Sequence, residues 1–510
     1  GTKGDGKNGA GRIVKIEQGN GFKEDQYKYD LLGNVVYERK LIQVPTAGDR
    51  KFTTHFSYDS WGRILDMTYP DGEQVSYSYD FCANLTAMDG TLPGMTSSYS
   101  ILDTILYDGL GNREYIVYGN GTSTQLQIDN TRRLSNVQLE SNSGQLLNKS
   151  FAYDIRGNIA NIENTANNVT VNGNSLGGAY SFDNIEYDGL NQITSVDQNY
   201  QVQSGGTTTV VHDITQTMSY NSVGRLATKI LTDNAGGISN YNFTYSYDTT
   251  NGKDHQITQV ANSLGKGYQL DYNNVGSIIQ RKEIGGSGTN QIEDFCWNEH
   301  QTLRGVKKGD NDHADLAHYV YDDAGERVLK TIITGSLVNT NSQGQTVLSL
   351  ESPTVYVNPY FIASHYEEAV LISKHYYMGD QRISSALSHL VDSAGFVSGI
   401  GYEGGNMSLA TDAVIQDMQA TMDCLYDVSV ELDWEAMLAQ PSLTDGVTLA
   451  VYCEDDLDPT ICACEQSTFV AQVAGNIDCS EIAVMYWYHP DYLGSVEFIT
   501  DMRGDAYQFF

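Results

Sequence analysis

The run Glu454-Asp455-Asp456-Leu457-Asp458 places Glu454, Asp456, Asp458 and the later Glu465 at positions one, three, five and twelve of an EF-hand-like register, where carboxylate oxygens could take calcium. Position six is Pro459, where the sharp turn of such a loop needs glycine, so the run reads as a solvated acidic loop. Around it fall Cys424, Cys453, Cys462, Cys464 and Cys479, whereas Cys82 and Cys296 stand alone. Cys462 and Cys464 are one residue apart and no His is near, which misses the usual zinc spacing. Disulfides among those five, in an oxidising compartment, are the expectation, with an odd thiol left over. His489, Pro490 and Asp491 lie near Ser495, but Asp491 to Gly494 and Asp501 to Gly504 share an Asp-x-x-Gly pattern that shapes turns. Gly4 to Gly9 matches G-x-G-x-x-G with no strand before it and no helix after, so it reads as a flexible lead-in. No nucleophile, base and orienting acid come together in neighbouring sequence, and no catalytic, cofactor or metal residue is assigned.

The bulk composition sets the stage for these residues. The chain has 510 residues, with 30 Lys and Arg against 64 Asp and Glu, a formal charge of −34. Such a field repels nucleic acid and anionic lipid, so neither is an expected partner. With 40% hydrophobic residues the chain can bury a core. No apolar run approaches the length of a membrane helix, and the first residues, lacking a signal pattern or an initiator Met, read as the cut edge of something longer. Asn-x-Ser/Thr acceptors at Asn84, Asn120, Asn148, Asn168, Asn242 and Asn406 are near chance in so Asn- and Thr-rich a chain.

Thirty-five Tyr and 50 Gly against only 8 Pro belong to pleated sheets with many tight turns. One phrase recurs: an aromatic, Asp or Asn, two variable residues, Gly, a polar residue, an aliphatic. Its aromatics are Tyr29, Tyr58, Tyr79, Tyr107, Tyr153, Tyr187, Tyr220, Tyr247, Tyr272, Trp297 and Tyr321. Seven carry Gly four residues on: Gly33, Gly62, Gly111, Gly157, Gly224, Gly276 and Gly325. Asn191 and Asn251 stand there in two more, and Ala83 and Gln301 break the rule. An Asp opening a type I turn accepts backbone N–H groups ahead of it, and a left-handed Gly closes a hairpin through a bulge. Each phrase is therefore a hairpin corner. The preceding aromatics alternate with polar residues, as in Tyr27 and Tyr29 or Tyr245 and Tyr247, and Val35, Ile64, Leu85, Ile159, Ile193, Leu226, Ile278 and Leu303 open the return strands. The pattern predicts consecutive antiparallel hairpins whose Tyr residues stack from one corner to the next.

This phrase resembles the signature of the YD-repeat, or RHS-repeat, family. Residues 375 to 385 (HYYMGDQRISS) and 486 to 508 (YWYHPDYLGSVEFITDMRGDAYQ) are similar to the beginning of the RHS-associated core that closes such arrays. The resemblance implies an all-β fold in which one spiralling sheet forms a shell around a hollow, neighbours covering what no repeat can bury alone. A β-propeller is the other architecture with repeats of this length, but the spacing is too irregular for equal blades. The expected organisation is a lead-in over 1–19, repeat shell over 20–395, a partly helical Cys-rich insertion over 396–483, and a truncated RHS-associated core over 484–510. In the insertion, Val414, Met418, Thr421, Met422 and Leu425 give an amphipathic helix behind a Thr411 or Asp412 cap, and a second short helix is expected before Pro441.

By that resemblance the chain is expected to be the non-catalytic shell of a secreted or cell-surface protein, similar to bacterial polymorphic toxin carriers. It would enclose and deliver a C-terminal effector of the same polypeptide, and meet secretion machinery or cell-surface partners, without a cofactor or membrane insertion. An adhesin or carbohydrate-binding module, with Tyr-rich faces against sugar rings, is the alternative. A glycosidase would need facing carboxylates, and the repeat gives most Asp a turn role instead.

Overall fold

The computed structural model describes residues 8–18, 23–45, 48–93, 95–171, 174–204, 207–236, 238–250, 253–286, 291–309, 313–337, 346, 348–366, 369–392, 400–402, 407–426, 437, 447–450, 484–490 and 495–509. Among them, 34 of 36 strands belong to one sheet, and every register observed is antiparallel. A propeller, built of separate short blades, is excluded. Period-two alternation is the local cause: in Tyr241–Tyr247 every second residue turns to solvent.

The chain divides into two compact units, 1–103 with 294–486 and 104–293 with 487–510. In the first, successive hairpins such as Lys23–Tyr29 with Val35–Val44 and Gln74–Tyr79 with Leu85–Thr91 continue in Ser349–Asn358, Phe361–Tyr366, Ala369–Met378 and Gln381–Asp392. Its core holds Phe52, Met67, Tyr69, Phe361 and Tyr376, with ring centroids 6.2 Å apart for Phe52 and Phe361 and 5.8 Å for Tyr69 and Tyr376.

This unit also carries the helix Met407–Leu425. It starts four residues before Thr411, so neither Thr411 nor Asp412 caps it. Met418, Thr421, Met422 and Leu425 are buried at three- and four-residue intervals. The helix lies against strand Leu303–Lys308, where Gly305 leaves the room. A Cβ there would stand 2.5 Å from Thr421 Cγ2 and 3.2 Å from Leu425 Cδ1. The second helix expected before Pro441 lies outside the described residues except for Met437.

In the second unit, the hairpins between Arg113 and Ile284 form the ladder. Strands Val496–Thr500 and Ala506–Phe509 bring Phe498 and Ala506 into a core with Leu139, Leu146, Leu147 and Val169.

Candidate functional site

The repeated corner is the most regular feature of the chain. At Asp59, Oδ1 accepts the N–H of Trp61 at 2.8 Å and of Arg63 at 3.0 Å, while Oδ2 accepts Arg63 Nε. At Asp108 the same acceptors take Leu110 N, Asn112 N and Asn112 Nδ2. The polar residue after the Gly is thus the second half of a clamp on the carboxylate. These hydrogen bonds hold the Asp carboxyls below their ordinary range: at Asp59 the Arg63 backbone N–H contributes most, and at Asp80 and Asp108 the side chains of Asn84 and Asn112.

The glycines supply the geometry: φ is +103° at Gly33, +79° at Gly62, +84° at Gly111, +90° at Gly157, +80° at Gly224, +98° at Gly276 and +81° at Gly325. Ala83 and Gln301, which break the sequence rule, take the same left-handed conformation at +71° and +62°, and Asn191 does so at +61°. The corner's hydrogen bonds hold even a Cβ-bearing residue there. Asn251 lies outside the described residues.

Successive corners are joined by the Tyr hydroxyl. Tyr58 donates to the carbonyl of Val35, Tyr79 to Ile64, Tyr153 to Leu134, Tyr187 to Ile159, Tyr220 to Ile193, Tyr247 to Leu226 and Tyr272 to Ile257, all between 2.7 and 3.0 Å. Tyr29 reaches Ile13. Most of these acceptors are the aliphatics that open the previous return strand, next to the register shift at its corner. Arg63 and Arg133 lie over the rings of Tyr79 and Tyr153 at 4.5 and 4.2 Å. Tyr107 closes the strand Tyr99–Tyr107 ahead of the Asp108 corner. The carbonyl of Tyr321, ahead of the Asp322 corner, accepts from Gln18 Nε2 at 2.9 Å.

Sequence reasoning missed further corners. Tyr69 N donates to the Glu73 carbonyl and Gly72 N to that of Tyr69, and Tyr118 to Thr122 repeats the pattern. There the Tyr occupies the place of the Asp. At Asp129 to Arg133 an Ile precedes the corner and Arg132 takes φ +66°. An Asp/Asn/Tyr-x-x-Gly search without the aromatic requirement would have found most of them.

Cys424, grouped in sequence with Cys453, Cys462, Cys464 and Cys479, is instead bonded to Cys296, with Cα atoms 5.9 Å apart. Cys296 therefore does not stand alone. The tie joins strand Ile292–Trp297 to the last turn of the helix, and earlier on the same helix Asp417 accepts from His318 at 2.8 Å and meets Arg304 at 3.3 Å. The other four cysteines, with Glu454, Asp456, Asp458 and Glu465, lie outside the described residues. Among those described, no three His, Cys, Asp or Glu side chains are placed to hold a metal.

His489 is buried on the ring of Tyr118, centroids 4.8 Å apart, with Nε2 2.8 Å from Thr500 Oγ1. Burial pushes its pKa down to about 3. Asn120 donates to Thr500 Oγ1 and to the Asp501 carbonyl, each at 2.8 Å, which uses the amide that a glycan would need. Gly504 turns at φ +74°. Asp491 to Gly494 lie outside the described residues.

A ladder of antiparallel hairpins closed by Asx-clamped, left-handed corners defines the YD-repeat, or RHS-repeat, β fold. The TcdB2-TccC3 crystal structure has this fold, with TM-score 0.59, 16% identity, and coverage of 97% of this chain and 20% of the other. The Photorhabdus luminescens Tc holotoxin pore matches with TM-score 0.56 and 15% identity over 98% of this chain and 20% of that one. This chain therefore spans about a fifth of the chains it matches. No protein-family model matches the sequence, and no curated protein does.

Proposed function

We propose that the chain is a length of repeat wall from a toxin-carrier shell of the RHS type, without catalysis of its own, whose role is to enclose and deliver an effector carried on the same polypeptide. The observation that supports this most is the match of 97% of the chain to TcdB2-TccC3, with each corner Asp engaged by backbone donors. Such a wall works by being stiff: clamped corners fix each hairpin, and hydroxyl ties hold neighbouring hairpins in step. Release to the cell exterior or surface, and engagement of secretion machinery or surface partners, belong to this reading. Described residues include no helix long and apolar enough to cross a membrane.

The test is protection of a passenger. The full-length gene product is treated with protease before and after the wall is opened by denaturant. A C-terminal segment that survives only in the closed state supports the carrier. Equal cleavage in both states rejects it. The carbohydrate-binding reading draws on the exposed corner rings of Trp61 and Phe81. Glycan binding abolished by Trp61→Ala would favour that reading.

A further inference from the structure

Within the first unit, the Tyr69 to Glu73 corner carries two carboxylates, Asp71 and Glu73, beside strand Ala369–Met378. Lys374 from that strand is 2% exposed, Glu73 0% and Asp71 7%. Lys374 Nζ stands 2.8 Å from Asp71 Oδ2 and donates to Glu73 Oε2. Glu73 is also held by the hydroxyls of Tyr99 and Tyr376, the latter at 3.0 Å. Tyr69 completes the enclosure, its ring centroid 5.9 Å from Nζ and its hydroxyl donating to the His375 carbonyl. Asp71 Oδ1 accepts the backbone N–H of Glu73 at 3.2 Å.

An ordinary salt bridge needs one carboxylate and gains from partial exposure, since full burial of ions costs more than the pairing returns. Here an amine and two carboxylates are enclosed together by three tyrosines. We propose that Lys374 and Asp71 condense spontaneously into an intramolecular isopeptide bond, with Glu73 as the proton carrier.

Each part of the site has a place in that reaction. Burial alone would lower the Lys374 pKa, but Asp71 and Glu73 beside it hold it above its ordinary value, so the resting site is an ammonium between carboxylates. Passing one proton from Lys374 through Glu73 to Asp71 leaves a neutral amine beside a neutral carboxylic acid, which relieves two buried charges. The Nζ lone pair then attacks Asp71 Cγ. The Glu73 N–H faces Oδ1, where negative charge gathers in the tetrahedral intermediate. Glu73 takes the second proton from nitrogen and delivers it to Oδ2, which leaves as water while the C–N bond is retained. One amine and one carboxylic acid become one amide and one water, and no outside reactant is required. Enclosure fixes the reacting groups in contact, the condition under which an otherwise slow condensation proceeds. The product would staple the Asp71 corner to strand Ala369–Met378, whose Lys374 lies 301 positions along the sequence from the corner's Glu73, a closure that resists unfolding.

The test is mass spectrometry of the purified chain after reduction of its disulfides. The expected result is a mass lower by one water, and a branched proteolytic peptide joining the Asp71 segment to the Lys374 segment, with trypsin unable to cut after Lys374. Lys374→Arg and Glu73→Gln should each lose the branched peptide and return the full mass. Full mass in the parent, with cleavage after Lys374, overturns the proposal. So does loss of water that mild alkaline hydrolysis reverses with Lys374 unmodified, because Asp71-Gly72 can also close on itself as a succinimide. A branched peptide persisting in Glu73→Gln overturns the carrier role of Glu73.

Discussion

The hydroxyl of Tyr153 donates to the carbonyl of Leu134 at 2.7 Å, and through it one hairpin corner is tied to the corner before it. Tyr153→Phe removes that bond and leaves the ring under Arg133. The expected cost is about 1 kcal/mol, read as faster hydrogen exchange in strand Leu134–Ser141. Tyr153→Ala should cost more, since it also removes the half-buried ring. Unchanged exchange in the Phe variant would show that the ring alone makes the link.

Corner geometry predicts opposite signs for two single-atom changes. Gly157 sits at φ +90° with nothing within 4 Å of a would-be Cβ, so Gly157→Ala strains only the backbone. It should destabilise by roughly 1 to 2 kcal/mol. Ala83→Gly, at φ +71°, should stabilise by about 1 kcal/mol. Thermal unfolding of the two variants against the parent checks both.

Acid should loosen the Asp corners. Their folded pKa values lie below the unfolded value of about 4, so their contribution is full above that pH and lost as the pH falls through the lower, folded value. Asp59→Asn and Asp108→Asn keep the acceptor without the titration, as Asn221 and Asn273 already do. The variants should lose less melting temperature than the parent between neutral pH and the acid limit. Parallel curves would count against the clamp.

His489 works in a milder range. The unfolded chain takes up a proton near pH 6.5, whereas the folded ring resists to about pH 3. Stability of the C-terminal strands therefore falls as pH drops from about 6.5 toward 3. Fluorescence of the neighbouring buried Trp487 should report it. In His489→Gln that slope should disappear.

The Cys296–Cys424 tie predicts a local effect. Cys424→Ser should cost roughly 2 to 5 kcal/mol, with new protease sensitivity in the helix Met407–Leu425 and little change in the second unit. Gly305→Ala, which drives a methyl into Thr421, should loosen the same helix. A non-reducing peptide map finding both thiols free would remove the basis for the first effect.

The corners were legible in the sequence because everything they need is local. Asp59, Gly62 and Arg63 close their turn within five residues, and period-two alternation fixes the strands on either side. The buried face of the helix was legible for the same reason, but its start was not, since Thr411 and Asp412 offer cap chemistry that the fold passes over for an earlier start. Ala83 and Gln301 were read as exceptions because propensity disfavours their φ, yet the hydrogen bonds that close the Asp80 and Asn298 corners outweigh a penalty of roughly 1 to 2 kcal/mol.

What only the tertiary structure decided are the long-range pairings. Sequence proximity pointed Cys424 to Cys453 and its neighbours, but the sheet brings it to Cys296, 128 residues away. The same holds for His489 on Tyr118, and for Lys374 between Asp71 and Glu73. A repeat makes every corner alike, so the sequence determined what each hairpin is. It carried no mark of which distant strand each hairpin would meet, because that choice is made by the summed packing of many similar surfaces and not by any one phrase.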